Sequence, residues 1–259
     1  MSSRFLKPVR AATMAMATRF EIIIASDDER AAQCIAEEAL QEISDLGRHL
    51  DRFIPYSTLS HINRTAAARA VPLDAATFDL LRTAQLVREQ SSGAFDVALG
   101  SGRFFLDDTS FTIQFEHQGV CLDLGGIAKG YALERAASLM RAQGVSSALL
   151  QGGTSSVVGI GAPPDAEAWR IKLAHGSQRT IDLKDAALSV SRPHSQMRGE
   201  ATHIIDPRTS ESIGARRCAV VTGPSACLAE AWSTALAVLG ERPATLSAEW
   251  TTFIELDND

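Results

Sequence analysis

The stretch "DDERAAQCIAEEALQEISDLGRHLDRF", residues 27–53, constrains the fold more than any other part of the chain. Its apolar residues recur at helical spacing and acidic residues gather at its start, which predicts a long helix with one apolar stripe. That stripe has to be covered, and "RFEIIIAS" just before it (19–26) reads as a strand of the sheet that would cover it. "DAATFDLLRTAQLVREQSSG" (74–93) predicts a second helix, with Asp74 as N-cap and Gly93 just past the end. "ACLAEAWSTALAVLG" (226–240) predicts a third, closing on glycine. "SFTIQFEH" alternates as a strand does, and "SSALLQGG", "AWRIKLAH" and "RRCAVVTG" are further strands. Helices and strands interleave without a strict repeat, so the expected class is α+β rather than a regular parallel βαβ fold. No repeat and no Pro/Gly/Ser linker divides the 259 residues. We therefore expect a single domain over 1–259, with room for two lobes and with residues 1–13 as a flexible N-terminal extension.

Composition narrows the function by exclusion. A net charge of -6 and a pI near 5.6 argue against a nucleic-acid partner, which would call for a basic face. The four cysteines, Cys34, Cys121, Cys218 and Cys227, form no CxxC pair and have no neighbouring histidines, which argues against zinc and for buried thiols. The opening residues lack a continuous apolar segment, and no run reaches the roughly 18 apolar residues of a membrane span. The expectation is a cytoplasmic protein without a membrane segment.

Three constellations carry chemistry. In "CLDLGGIAKGYALERAASLMRAQG" (121–144) an apolar run ending at Asp123 reads as a strand. It crosses Gly125 and Gly126 and enters a helix whose second residue is Lys129. Paired glycines at such a junction let backbone approach a ligand, and the helix start favours anions, although an ordinary tight turn uses the same residues. In "THIIDPRTS" (202–210), His203 is a candidate proton carrier near neutral pH, whereas Asp206 before Pro207 suits a turn. In "AEAWSTALAVLG", Glu230, Ser233 and Thr234 share one helical face, a hard-oxygen patch that suits Mg2+. The alternative there is a helix whose Ser and Thr bond back to their own backbone while Glu230 reaches water.

The order and wording of these segments resemble the FAD:protein FMN transferase family, the ApbE-type flavin transferases. "MAT" (16–18) is similar to the family's Met-Gly-Thr opening, "PYSTLSHIN" to its Asp-Ser-Glu-Leu-Ser-Arg-Leu-Asn segment, and "SGAFDVALG" to its Gly-Gly-Xaa-Phe-Asp motif. "DLGGIAKGYALE" matches the family signature almost letter for letter, and "WRIKL", "THIIDP" and "EAWSTALAVLG" follow in the family's order. The resemblance implies a T-fold-related, two-lobed single domain with its active site in the cleft between lobes. It implies cleavage of the FAD pyrophosphate and transfer of FMN through a phosphoester to a Thr or Ser of an acceptor flavoprotein, with Mg2+ required and AMP released. FAD would be lined by Met16, Phe53, Ala94, Phe95, Asp96, Asp123, Lys129 and Ile204. Metal would sit between the Gly126 carbonyl and Glu230, Ser233 and Thr234, with His203 assisting the acceptor hydroxyl as general base or more directly.

The chain departs from the family pattern in places. Ala17 stands for a glycine, Glu230 for the usual aspartate, Val190 and Arg192 for a threonine and a glycine, and Ser210 for a glycine. The link from "ALGSG" to "SFTIQF" is also short. These departures keep two further readings open: an FAD-binding protein without transfer activity, and an FAD pyrophosphatase yielding FMN and AMP.

Overall fold

The computed structural model describes residues 8–173, 179–192, 204–213 and 217–256. In chain order the elements are β1 (Val9–Ala15), β2 (Thr18–Ile24), α1 (Glu29–His49), α2 (Thr58–Thr65), β3 (Val71–Pro72), α3 (Ala75–Gln90), β4 (Phe104–Asp107) and β5 (Thr112–Phe115). There follow α4 (Ala128–Ala142), β6 (Ala148–Gly152), β7 (Ser156–Ile160), β8 (Trp169–Lys172), β9 (Thr180–Leu183), β10 (Ala186–Ser191) and β11 (Ile205–Asp206). The last are β12 (Glu211–Ser212), β13 (Arg217–Gly223), α5 (Ala226–Leu239) and β14 (Thr251–Leu256).

Seven strands form one sheet in the order β1-β2-β6-β7-β10-β13-β14, and every neighbouring pair is antiparallel. The fold is therefore α+β, as the irregular interleaving implied. Along each strand the side chains alternate between two faces. Phe20, Ile22, Leu150, Val158 and Ala187 face α1 and α4, while Leu149, Val157, Leu188 and Val220 face the β8–β9 ribbon through Leu173 and Leu183. A second layer of α2, α3 and the three-stranded β3-β5-β4 sheet shares one core with α5, built around Phe78, Leu81, Phe95, Leu122 and Trp232. The α5 helix is consequently buried nearly all round, which is why its sequence is largely apolar.

Two expectations about local structure need correction. Residues 9–13 are not an extension: they run in β1, paired with β2 from Val9↔Ile24 to Ala15↔Thr18. Residues 121–124 form no strand. Their backbone is satisfied by a side chain instead, since Asn63 in α2 donates from Nδ2 to the Leu122 carbonyl (3.0 Å) and accepts from the Leu122 N–H at Oδ1 (2.8 Å). Asp123 N–H is taken by the Val97 carbonyl at 2.7 Å. Leu122 is fully buried, so removing the carboxamide orphans two backbone groups where water cannot replace them. Asn63→Ala is expected to lower stability by about 2–4 kcal/mol, read as a fall in the urea midpoint at unchanged slope. Of the cysteines, Cys218 and Cys227 are buried as expected but Cys34 is exposed. Among the described residues, no helix is long and apolar enough to cross a membrane.

Candidate active site at the junction of two helices

The site begins where α4 starts. Ile127, its N-cap, supplies no side-chain cap, yet the N–H of Gly130 in the first turn is satisfied from another helix: Glu230 Oε2 in α5 accepts it at 2.5 Å. A carboxylate is well placed there, because the first turn of a helix carries partial positive charge. The favour is returned. Glu134 Oε2 in α4 accepts from Ser225 Oγ (2.6 Å) and Cys227 N–H (3.1 Å) at the start of α5. Each helix thus caps the other, and the crossing is tight: a methyl added at Gly130 would lie 2.2 Å from the Ala226 carbonyl oxygen.

Glu230 is 4% exposed, and its other carboxylate oxygen pairs with the Lys129 ammonium. The second alternative read from the sequence is therefore half right. Ser233 and Thr234 do bond back, donating to the Glu230 carbonyl at 2.9 and 3.1 Å, but Glu230 does not reach water. The longer acid reaches across the helix crossing to Lys129 and Gly130. With its one proton on that carbonyl, the Ser233 hydroxyl accepts from Ser189 of β10 at 3.0 Å, so the oxygen face is anchored to the central sheet. Burial and the nearby Glu134 and Glu230 carboxylates push the Cys227 thiol well above its usual range, which leaves it an inert neighbour.

The paired glycines bring the "DLGG" turn onto this face. A methyl at Gly126 would meet Phe95 at 3.3 Å and the Thr234 hydroxyl at 3.5 Å. Asp123 Oδ1 accepts from the Gly125 N–H at 2.8 Å, and its Oδ2 lies 3.1 Å from Arg52 Nε. Arg52 in turn stacks on Phe53, 4.7 Å from the ring centroid, and that ring is 79% exposed. An exposed aromatic held by a cation beside a carboxylate offers a flat apolar surface with polar neighbours.

The other expected flavin residues are placed as follows. Met16 and Ala17 are the two central residues of the β1–β2 hairpin, at φ 48° and 56°, a left-handed pair that favours glycine and asparagine. The Met16 side chain packs on α1, 3.4 Å from where a methyl at Gly47 would stand. Ala94, Phe95 and Ile204 are buried in the core shared with α5. Asp96 is buried too, and its carboxylate serves its own loop, accepting from Ala98 N–H (2.9 Å) and Gly100 N–H (3.2 Å) beside Arg88. The catalytic candidate, His203, lies outside the described residues. Asp206 is the turn residue expected: Arg208 binds it through Nε, Nη2 and the backbone N–H, and these bonds hold its carboxyl below the usual range.

Sequence reasoning singled out the junction but missed Arg52, Asn63 and Glu134. Glu134 carried a signal, since it ends the quoted "DLGGIAKGYALE". Arg52 and Asn63 act only through tertiary contacts. As a metal site, the face offers one carboxylate and two hydroxyls, hard oxygens of the kind Mg2+ takes. No cluster of three or more His, Cys, Asp or Glu stands among the described residues.

Comparison with known proteins places the chain in a family. The ApbE family profile matches residues 16–103 and 103–252. A protein named FAD:protein FMN transferase from Klebsiella pneumoniae is 23% identical over 280 residues, covering 88% of this chain and 78% of its own length. One of the same name from Vibrio cholerae is 23% identical over 263 residues, covering 86% and 77%. Among solved structures, the ApbE protein from Thermotoga maritima superposes with a TM-score of 0.81 at 23% identity, over 90% of this chain and 87% of that one. The flavin transferase ApbE from Vibrio cholerae gives 0.81 at 21%, over 98% and 95%. The chain belongs to the ApbE family.

Proposed function

We propose that the protein is an FAD:protein FMN transferase acting on a Thr or Ser hydroxyl of an acceptor flavoprotein. The observation that carries this reading is the α4–α5 junction, where Lys129, the Gly126 turn and the Glu230–Ser233–Thr234 face converge. The relatives' shared name supports it. In the reaction the acceptor hydroxyl oxygen attacks the FMN phosphorus of FAD, a new P–O bond forms, and the bond to the bridging oxygen breaks. AMP leaves with that oxygen, and the hydroxyl proton passes to a base, for which His203 is our candidate.

The chain's own residues account for binding and orientation. Lys129 supplies positive charge to the pyrophosphate. Phe53, steadied by Arg52 and Asp123, offers a stacking face for an aromatic ring system. Glu230, Ser233, Thr234 and the Gly126 carbonyl would hold Mg2+, which when bound stabilises charge on transferring phosphoryl oxygens.

The test is incubation of the purified protein with FAD, Mg2+ and a flavoprotein acceptor bearing a Thr/Ser site, following AMP and the acceptor's mass. AMP and FMN-labelled acceptor in equal amounts, both reduced about 10²-fold or more by His203→Ala, is the expected result. AMP with free FMN and unlabelled acceptor would make the protein a pyrophosphatase. FAD bound but intact would make it a carrier.

A further inference from the structure

We propose that Lys129 is an exchangeable counter-ion for Glu230, released when a pyrophosphate binds, so that uptake of a divalent metal is coupled to uptake of the dinucleotide. The inference rests on the reading above, that this face takes FAD and a metal, and concerns how the two are ordered.

Glu230 is a buried carboxylate and needs compensating charge or hydrogen bonds to be tolerated. It has two partners of different kinds. The Gly130 N–H belongs to the backbone of α4 and is locked by the close approach of that helix to Ala226. The Lys129 ammonium stands on a flexible four-carbon stem and keeps 23% of its side chain exposed. Only the second can leave without moving a helix. Among the described residues, the other titratable groups at this helix crossing, Glu134 of α4 and Cys227 of α5, supply no positive charge.

While Lys129 stays, a metal ion approaching Ser233 and Thr234 meets a carboxylate already neutralised and an ammonium in contact with it. It also finds no group of three or more His, Cys, Asp or Glu among the described residues. A pyrophosphate changes both terms. Its charge competes with Glu230 for the ammonium, and its oxygens complete a coordination shell that one carboxylate cannot fill. By linkage, whatever factor the dinucleotide adds to metal affinity, the metal adds to dinucleotide affinity.

The test is a Mn2+ titration followed by the EPR signal of free Mn2+, with and without FAD, on the wild type, Lys129→Met, Lys129→Arg and Glu230→Gln. Wild type and Lys129→Arg are expected to bind Mn2+ weakly alone and at least tenfold more tightly with FAD. Lys129→Met should bind tenfold more tightly than wild type without FAD, and Glu230→Gln should bind poorly in both conditions. Should Lys129→Met fail to fold, Lys129→Gln replaces it, with the rise of melting temperature on adding Mn2+ as the readout. If neither variant gains Mn2+ affinity or Mn2+-dependent stability over the wild type, the proposal is overturned. It is equally overturned if FAD binds the wild type, as flavin fluorescence shows, yet leaves Mn2+ affinity unchanged. No FAD binding at all would instead refute the functional reading, while the Lys129 comparison without FAD would still decide whether the ammonium guards Glu230.

Discussion

Gly130→Ala is expected to lower stability by about 3 kcal/mol, the upper part of the range for forcing atoms into a packed core, and to depress the melting temperature by roughly 6–12 °C. The added methyl would stand 2.2 Å from the Ala226 carbonyl oxygen, 2.8 Å from its carbon and 3.0 Å from the Glu230 Cβ. Two of these are backbone atoms of α5, so no side-chain rotation relieves the clash and the helices must part. Parting them stretches the Gly130–Glu230 bond and the Glu134 bonds to Ser225 and Cys227 together, because all three span the same crossing. Gly144→Ala is the control. It sits just past the other end of α4 at φ +83° with nothing within 4 Å of the added methyl, so its cost is conformational alone, about 1–2 kcal/mol. Thermal unfolding of the two variants separates a glycine needed for space from one needed for its backbone angle. Equal losses would show that the crossing is less tightly packed than these distances imply.

The same glycine marks where the sequence could and could not be read. Helices announce themselves locally: Asp74 caps α3 through the Thr77 N–H at 2.8 Å, and Gly240 ends α5 at φ +76°. Both were legible because the capping partner lies within four residues. Residues 121–124 look like a strand by composition, but what pairs with them is the Asn63 side chain, 59 positions away in sequence, and no periodicity carries that information. β1 is not legible in the sequence because Ala and Thr give its alternation little contrast in polarity, so residues 9–13 look like part of an extension. The candidate site was legible as separate motifs. The sequence placed Lys129 and Glu230 each in a chemically suggestive setting, yet left Glu230 open between metal ligand and water, since nothing local says that α4 and α5 cross. A glycine inside the first turn of a helix was the available hint. It costs roughly 1 kcal/mol against alanine, which asks for a packing reason.

Glu230→Gln should cost transferase activity about 10²-fold or more while leaving most of the fold intact, the reverse of what Gly130→Ala does. The amide keeps the shape of the acid, and its oxygen can still accept from the Gly130 N–H, so the cap on α4 survives. What disappears is the negative charge. Lys129 loses its ion-pair partner, but its side chain is partly exposed and can turn to solvent, so the full penalty of an abandoned buried charge does not apply and a loss near 1 kcal/mol is expected. A metal loses far more, because Glu230 is the only carboxylate among its expected ligands and an amide oxygen is a poor substitute for a hard dication. The signature is a large fall in kcat, a melting temperature within a few degrees of wild type, and weak rescue by excess Mg2+. If activity survives unchanged, the metal is held elsewhere and the oxygen face of α5 serves only to lock the two helices. If activity and melting temperature collapse together, Glu230 matters first as the cap that joins α4 to α5, and its part in the chemistry has to be sought with Ser233→Ala and Thr234→Val, which leave that cap in place.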